Sequence, residues 1–297
     1  MRYFLSLIRE NLLSAGMLFL LIAMLITLWS DKKHLWMWLF PFFIVAGLLA
    51  GRFSLTALCP VATLGICLYL YNKENLSTFI RVPCNIIFFV TSFSLITHLF
   101  PGFTNWKVVS NEIISTDAIP VNLYFNFDKA IVGIFSLAIL FRNHHSIIWK
   151  DIIKKAPLWT GIAILFMIPL SFLLGYVRWD PKLSPFMLTW IIANFLTCIT
   201  EEAFFRGLVQ GRLTSLLGNY RWGKFLGLAI ASILFGILHY PGGIKYILLA
   251  TVAGFIYGSA YMKTKNIETA IFTHFFLNVV HFVWFTYPAL TYAFISN

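Results

Sequence analysis

Hydrophobic residues run along this chain in blocks of about twenty, broken by short polar connections, which is the length a helix needs to cross a bilayer. By that pattern the apolar spans cover about 11–29, 35–51, 53–71, 82–100, 127–142, 157–177, 186–213, 224–240, 244–262 and 267–287. The strict two-residue alternation of a membrane barrel is missing, so the backbone must satisfy its hydrogen bonds within helices. The expected fold is all-α: a polytopic transmembrane bundle of about 8–10 helices. The longest interruption, Pro101 to Asp128, holds "PGFTNW" and "DAIPVN" and reads as a polar extracytoplasmic loop. It separates N-terminal membrane helices over residues 1–128 from a C-terminal helical core over 129–297, within one integrated membrane domain.

Composition supports the spans. Of 297 residues, 60% are hydrophobic and 11% charged, and the mean hydropathy is +0.83; a soluble domain carries about a quarter charged residues. The net charge of +11 permits a nucleic-acid partner on charge alone, but the basic residues are scattered through short connections, where they meet lipid headgroups. No nucleic-acid partner is expected. Cys59, Cys67, Cys84 and Cys198 form no C-x-x-C pair and read as small buried hydrophobes. The first apolar run has no A-x-A-like cleavage site after it, so a retained first helix is expected, followed by an interfacial "LWMWLF".

Charge also orients the bundle. Arg142, Lys150, Lys154 and Lys155, then Arg206, Arg212, Arg221 and Lys224, then Lys263 and Lys265 fall on one side of the spans, which the positive-inside rule makes cytoplasmic. Arg2, Arg9, Arg178 and Lys182 run against that rule in a ten-span count. His98, His144 and His145 read as interfacial.

The stretch "CITEEAFFRG" is the exception to the apolar pattern, because a charge at a bilayer's centre costs about 2.5–3.5 kcal/mol. Glu202 and Arg206 stand i,i+4 on one helix face in the favourable order and can neutralise each other. Glu201 points about 100° away and has no partner on its own helix. Other apolar spans offer His239, in "FGILHY", and His274 with Asn278, again i,i+4, in "THFFLN". His281, seven residues after His274, shares that face. Glu can take a proton from water that His positions, and His and Asn can donate to an oxyanion, so these groups can hydrolyse an amide without a covalent intermediate. The same carboxylate and imidazoles, Glu201, His239 and His274, could instead hold Zn²⁺ or another divalent metal, although no H-E-x-x-H occurs. A structural reading also exists: a helix ion pair at Glu202–Arg206, a helix-end bond at His239, and interhelical glue at His274–Asn278.

"EEAFFR" (Glu201, Glu202, Arg206), "FGILH" (Phe235, His239) and "HFFLN" (His274, Asn278), in this order on separate spans, resemble the motifs of the CAAX protease and bacteriocin-processing family, the intramembrane proteases related to the type II CAAX prenyl endopeptidase. The likeness covers roughly 157–287. It implies a cavity opening toward the cytoplasm, Glu201 as general base with His239 as partner, and His274 and Asn278 as oxyanion donors. Glu202, Arg206, Phe235 and His281 would support them. It further implies an endopeptidase acting on a membrane-embedded peptide or protein, in a bacterial inner membrane; the family is often labelled metalloprotease, and no cofactor is expected here, with a divalent metal such as Zn²⁺ as the alternative. A non-enzymatic regulator or immunity protein keeping the fold, and a proton-coupled transporter, are the competing classes. Counted at about 1.5 Å per residue, Glu201 would lie about 15 Å and His274 about 10 Å from cytoplasmic helix ends, but His239 about 22 Å from its own.

Overall fold

A computed structural model describes residues 2–30, 32, 34–73, 76–141 and 149–295, with residues 2–9, 294 and 295 as backbone only. Arg142, His144 and His145, used above, lie outside the described residues. The chain is a polytopic helical membrane bundle. Among the described residues, six helices are long and apolar enough to cross a bilayer, and further apolar helices are shorter. Contacts divide the chain into two compact units, residues 1–106 with 124–147, and 107–123 with 148–297.

The first unit holds α1 (Arg2–Leu28), α2 (Trp36–Leu49), α3 (Leu58–Tyr71) and α4 (Thr78–Ile96) around α5 (Phe127–Leu140), which follows the strands β1 (Trp106–Glu112) and β2 (Val121–Phe125) in the chain. α5 is apolar on every side, so it is buried on every side; Ile131 to Leu137 have no appreciable exposure. Phe135 meets Trp36 and Phe40 edge to face. The one acid of α5, Asp128, sits in its first turn, where the helix dipole favours negative charge. His98 Nδ1 lies 2.5 Å from one of its oxygens, and Asn105 Nδ2 donates to the other at 3.0 Å.

The second unit holds α6 (Trp149–Leu173), α7 (Met187–Glu202), α8 (Gly211–Leu217), α9 (Gly223–Ile237), α10 (Gly243–Thr264), α11 (Ile267–Trp284) and the short α12 (Tyr292–Ile295). α7 and α8 are joined without a break by a wider π turn, Ala203–Gln210, so that one helical rod runs from 187 to 217. Short connections make successive rods antiparallel. One face of the unit therefore carries the start of α6, the α8–α9 corner and the α10–α11 turn, with Lys150, Lys154, Lys155, Arg212, Arg221, Lys224, Lys263 and Lys265. The other face is a mat of extended chain. Residues 176–182 pair with 283–290 through Thr286 N to Arg178 O, Asp180 N to Trp284 O and Leu290 N to Tyr176 O. Residues 115–119 join them through Ile119 N to Ala289 O and Thr291 N to Asp117 O. α9 packs so closely on α10 that a Cβ at Gly236 would stand 1.9 Å from Thr251 Oγ1; only glycine fits there.

Three readings of the sequence need correction. The polar stretch 101–128 is not merely a loop: it contains two paired strands, and its tip belongs to the mat. The sixth span begins at Trp149, not near 157, because Lys155 pairs with Asp151 at i,i+4 and the charged turn is already helical. Cys59 is exposed, whereas Cys67, Cys84 and Cys198 are buried.

Candidate active site

Glu201 and Glu202 end α7, and the π turn begins at the next residue. Such turns widen a helix and recur at functional positions. Both oxygens of Glu202 are used. Arg206 Nε donates to Oε2 at 3.0 Å, and His274 Nδ1 lies 2.9 Å from Oε1. Glu202 and Arg206 are 0% exposed. The guanidinium rests on the ring of Phe235, 4.8 Å from its centroid, while its two terminal nitrogens have no hydrogen-bond partner among the described residues. Glu202 is thus more than the i,i+4 partner of Arg206: it also fixes an imidazole on another helix.

A carboxylate accepts, so the Glu202 contact places a proton on His274 Nδ1 and turns Nε2 outward. The ring is clamped on its face by Tyr257, at 4.5 Å between centroids, and on its edge by Phe235 at 5.9 Å. His239 is oriented the same way. Its Nδ1 donates to the Phe235 carbonyl at 2.7 Å, which leaves the Nε2 lone pair in the neutral ring. Phe235, 2% exposed, touches both imidazoles and the guanidinium.

Glu201, His239, His274, Asn278 and His281 line one cavity of about 360 Å³. A smaller void of about 100 Å³ shares the imidazoles and Asn278 and reaches Phe235. Glu201 accepts no hydrogen bond among the described residues, although it is 8% exposed. Asn278 Nδ2 donates to Asn194 Oδ1 at 3.0 Å and, weakly, to Cys198 Sγ at 3.8 Å, the bond a stronger acceptor would displace. His281 Nε2 donates to the Thr286 carbonyl at 3.0 Å and ties α11 to the mat.

Several lining residues escaped the sequence reading: Asn194, Trp190, Tyr176, Tyr246, Tyr287 and Ile119. Asn194 had a signal, since it lies seven residues before Glu201 and so on the same helix face. The mat residues had none. Burial pushes the Tyr176 hydroxyl well up, and burial also pushes up that of Tyr287 despite the bond it accepts from Trp190 Nε1 at 2.8 Å. Both are neutral hydrogen-bonding groups at working pH and not bases.

The cavity's wall residues come from α7 between Trp190 and Glu201, the α9–α10 turn and the start of α10, α11 between His274 and His281, and the mat, and none comes from the basic connections.

Residues 182–280 match the family model described as "Type II CAAX prenyl endopeptidase Rce1-like", which bears out the resemblance over the C-terminal region holding all three motifs. The chain is 35% identical over 88 residues to the Bacillus subtilis (strain 168) protein named "Putative membrane peptidase YdiL". That match covers 30% of this chain and spans about a third, 33%, of the relative's length. No solved structure matches the chain.

Proposed function

We propose that the chain is an intramembrane endopeptidase in which Glu201 activates water against a peptide bond. The observation that carries this is the convergence of Glu201, His239, His274 and Asn278 on a single cavity, supported by the family match over the same helices. Water enters between Glu201 and His239, whose Nε2 accepts one hydrogen bond. Glu201 takes the other proton as the oxygen bonds to the carbonyl carbon. The carbonyl π pair moves onto oxygen. Asn278, through the hydrogen it otherwise gives to Cys198 Sγ, and His274, through Nε2–H when the ring is protonated, stabilise that charge. Glu202 compensates the imidazolium, held in place by its bond from Arg206. The tetrahedral intermediate then collapses, the C–N bond breaks, and protonated Glu201 returns its proton to the leaving amine. One water is consumed, giving an acid and an amine.

The donor set supports a mechanism without a metal. Among the described residues no three His, Cys, Asp or Glu side chains come together as ligands. The Nδ1 atoms of His239 and His274 are engaged with Phe235 and Glu202, which orients their Nε2 atoms as a metal-binding histidine would also be oriented. Glu201, His239 and His274 do not stand close enough together to hold a divalent ion as they are, and no step runs through one. The substrate is a membrane-associated peptide or protein, and the setting we propose is a bacterial inner membrane.

The test is a census of new N-termini in membranes of cells carrying the wild-type chain or Glu201→Gln. Peptides present with the first and absent with the second support the reading. Identical sets, with both chains folded and equally abundant, overturn it and leave a binding or regulatory role.

A further inference from the structure

We propose that Asn194 is the positioning residue of Asn278: its carboxamide oxygen fixes the donor that meets the oxyanion, as the Glu202 carboxylate fixes His274. This rests on the endopeptidase reading and adds to it a residue that lies outside the three sequence motifs.

The stripe that α7 turns to the cavity is Trp190, Asn194, Thr197 and Glu201, residues that helical spacing sets on one face. Glu201 is the base. Trp190 and Thr197 spend their polar groups elsewhere. Trp190 Nε1 donates to the Tyr287 hydroxyl at 2.8 Å, and Thr197 Oγ1 donates to the Ala193 carbonyl of its own helix at 3.0 Å. Asn194 turns to α11 instead, where its Oδ1 accepts from Asn278 Nδ2 at 3.0 Å. The rod that begins with α7 thus grips α11 at Glu202–His274, 2.9 Å, and again at Asn194–Asn278. Each grip ends on a group that the mechanism sets against the carbonyl oxygen.

The hydrogens of Asn278 show what the second grip does. One goes to Asn194 Oδ1 and the other to Cys198 Sγ at 3.8 Å, a weak acceptor. The forming oxyanion takes the second hydrogen away from sulfur. The bond to Asn194 then holds the carboxamide plane, and with it the direction of the freed N–H. An oxygen at this place also excludes the turned-over carboxamide, which would set the Asn278 oxygen against it. Cys198, 0% exposed, backs the same acceptor, with Sγ 3.9 Å from Asn194 Oδ1.

A second observation is the cost of keeping an asparagine here. Asn194 Nδ2 is buried and has no hydrogen-bond partner among the described residues. A buried donor left unpaired destabilises a fold, and leucine, of nearly the same shape, would remove that penalty. Stability alone would not select this carboxamide; the work of its oxygen accounts for it.

The test uses the full chain in detergent micelles and a synthetic peptide spanning one of the N-termini lost with Glu201→Gln. Compared with wild type are Glu201→Gln, Asn194→Leu, Asn278→Ala and the double variant Asn194→Leu with Asn278→Ala. The proposal expects Asn194→Leu to lower kcat about tenfold, the worth of one well-placed hydrogen bond, with KM little changed and a thermal midpoint at or above that of wild type. The double variant should be no slower than Asn278→Ala, because Asn194 acts through that residue. Should Asn194→Leu fail to accumulate, Asn194→Ala replaces it with the same expectations for kcat and for the double variant. With Glu201→Gln inactive, any of four results overturns the proposal and leaves the endopeptidase reading standing: wild-type kcat in Asn194→Leu, a raised KM alone, a further loss in the double variant, or a midpoint that falls in step with kcat. A Glu201→Gln chain that cuts at the wild-type rate, or a census that yields no such peptide, removes the endopeptidase reading and this role of Asn194 with it.

Discussion

The two units meet the same apolar environment with different interiors. At the centre of the first is α5, whose run from Ala130 to Leu137 is buried and apolar apart from Ser136; its one acid stands at the helix end, partnered by His98 and Asn105. At the centre of the second are Glu202, Arg206, Gln210 and His274, buried well within their rods, with Glu201 beside them on the cavity wall. An apolar rod in lipid needs nothing more to be stable. Ionisable groups at depth cost several kcal/mol each unless they are paired or wetted. The difference teaches where this molecule concentrates its chemistry: the first unit follows the rule for membrane helices, and the second departs from it at Glu201 and His274, which line a common void, and at the buried groups behind them.

That contrast can be broken experimentally. The largest effect is expected at Glu201→Gln, which should lower cleavage by about 10²–10⁴-fold and leave thermal unfolding in detergent unchanged; parallel loss of both would make Glu201 structural. Next comes Arg206→Met, which strands Glu202 and should cost about 3–5 kcal/mol, read as a drop in midpoint temperature. The double change Glu202→Gln with Arg206→Met should recover much of that stability while activity stays low. In the first unit, Leu137→Ala should cost a comparable amount, about 2–5 kcal/mol, through the cavity it leaves, yet retain turnover per folded molecule; a specific loss of turnover would tie α5 to catalysis. Smaller still, Ile119→Trp should narrow the cavity and raise KM more than it lowers kcat.

The smallest effect concerns acid. Burial acts to raise the Asp180 carboxyl, but hydrogen bonds from Ser115 and Lys182 and the nearby positive charges outweigh it and hold the group below the usual carboxylate range. A lowered folded-state value contributes stability above the unfolded range of about pH 4 that disappears as pH falls through the lowered value. Asp180→Asn should therefore lessen the acid sensitivity of unfolding by about a few tenths of a kcal/mol, as for a partly exposed pair.

Much of this was legible beforehand, for particular reasons. The ten apolar blocks all coincide with helices because a block of that length has no other way to hide its backbone in lipid. The i,i+4 spacings of Glu202–Arg206 and His274–Asn278 carried over because helical geometry alone sets them. What was hidden depended on contacts distant in sequence. The bond between Thr291 and Asp117 joins residues 174 apart, and nothing local in either segment announces it. The second role of Glu202, toward His274 seventy-two residues away, was hidden in the same way. The cavity escaped for this reason too: its walls are assembled from pieces whose proximity only the folded chain reveals.

The brevity of α9 has one more consequence. Fifteen residues make a rod of about 22 Å, some 8 Å less than a hydrocarbon slab of about 30 Å, and its end carries His239 and the Tyr240–Gly242 turn. The surrounding leaflet must dip to meet that polar tip. Acyl-chain length thereby becomes a control on hydration: thin lipids keep the imidazole wet, and thick ones drown it in hydrocarbon.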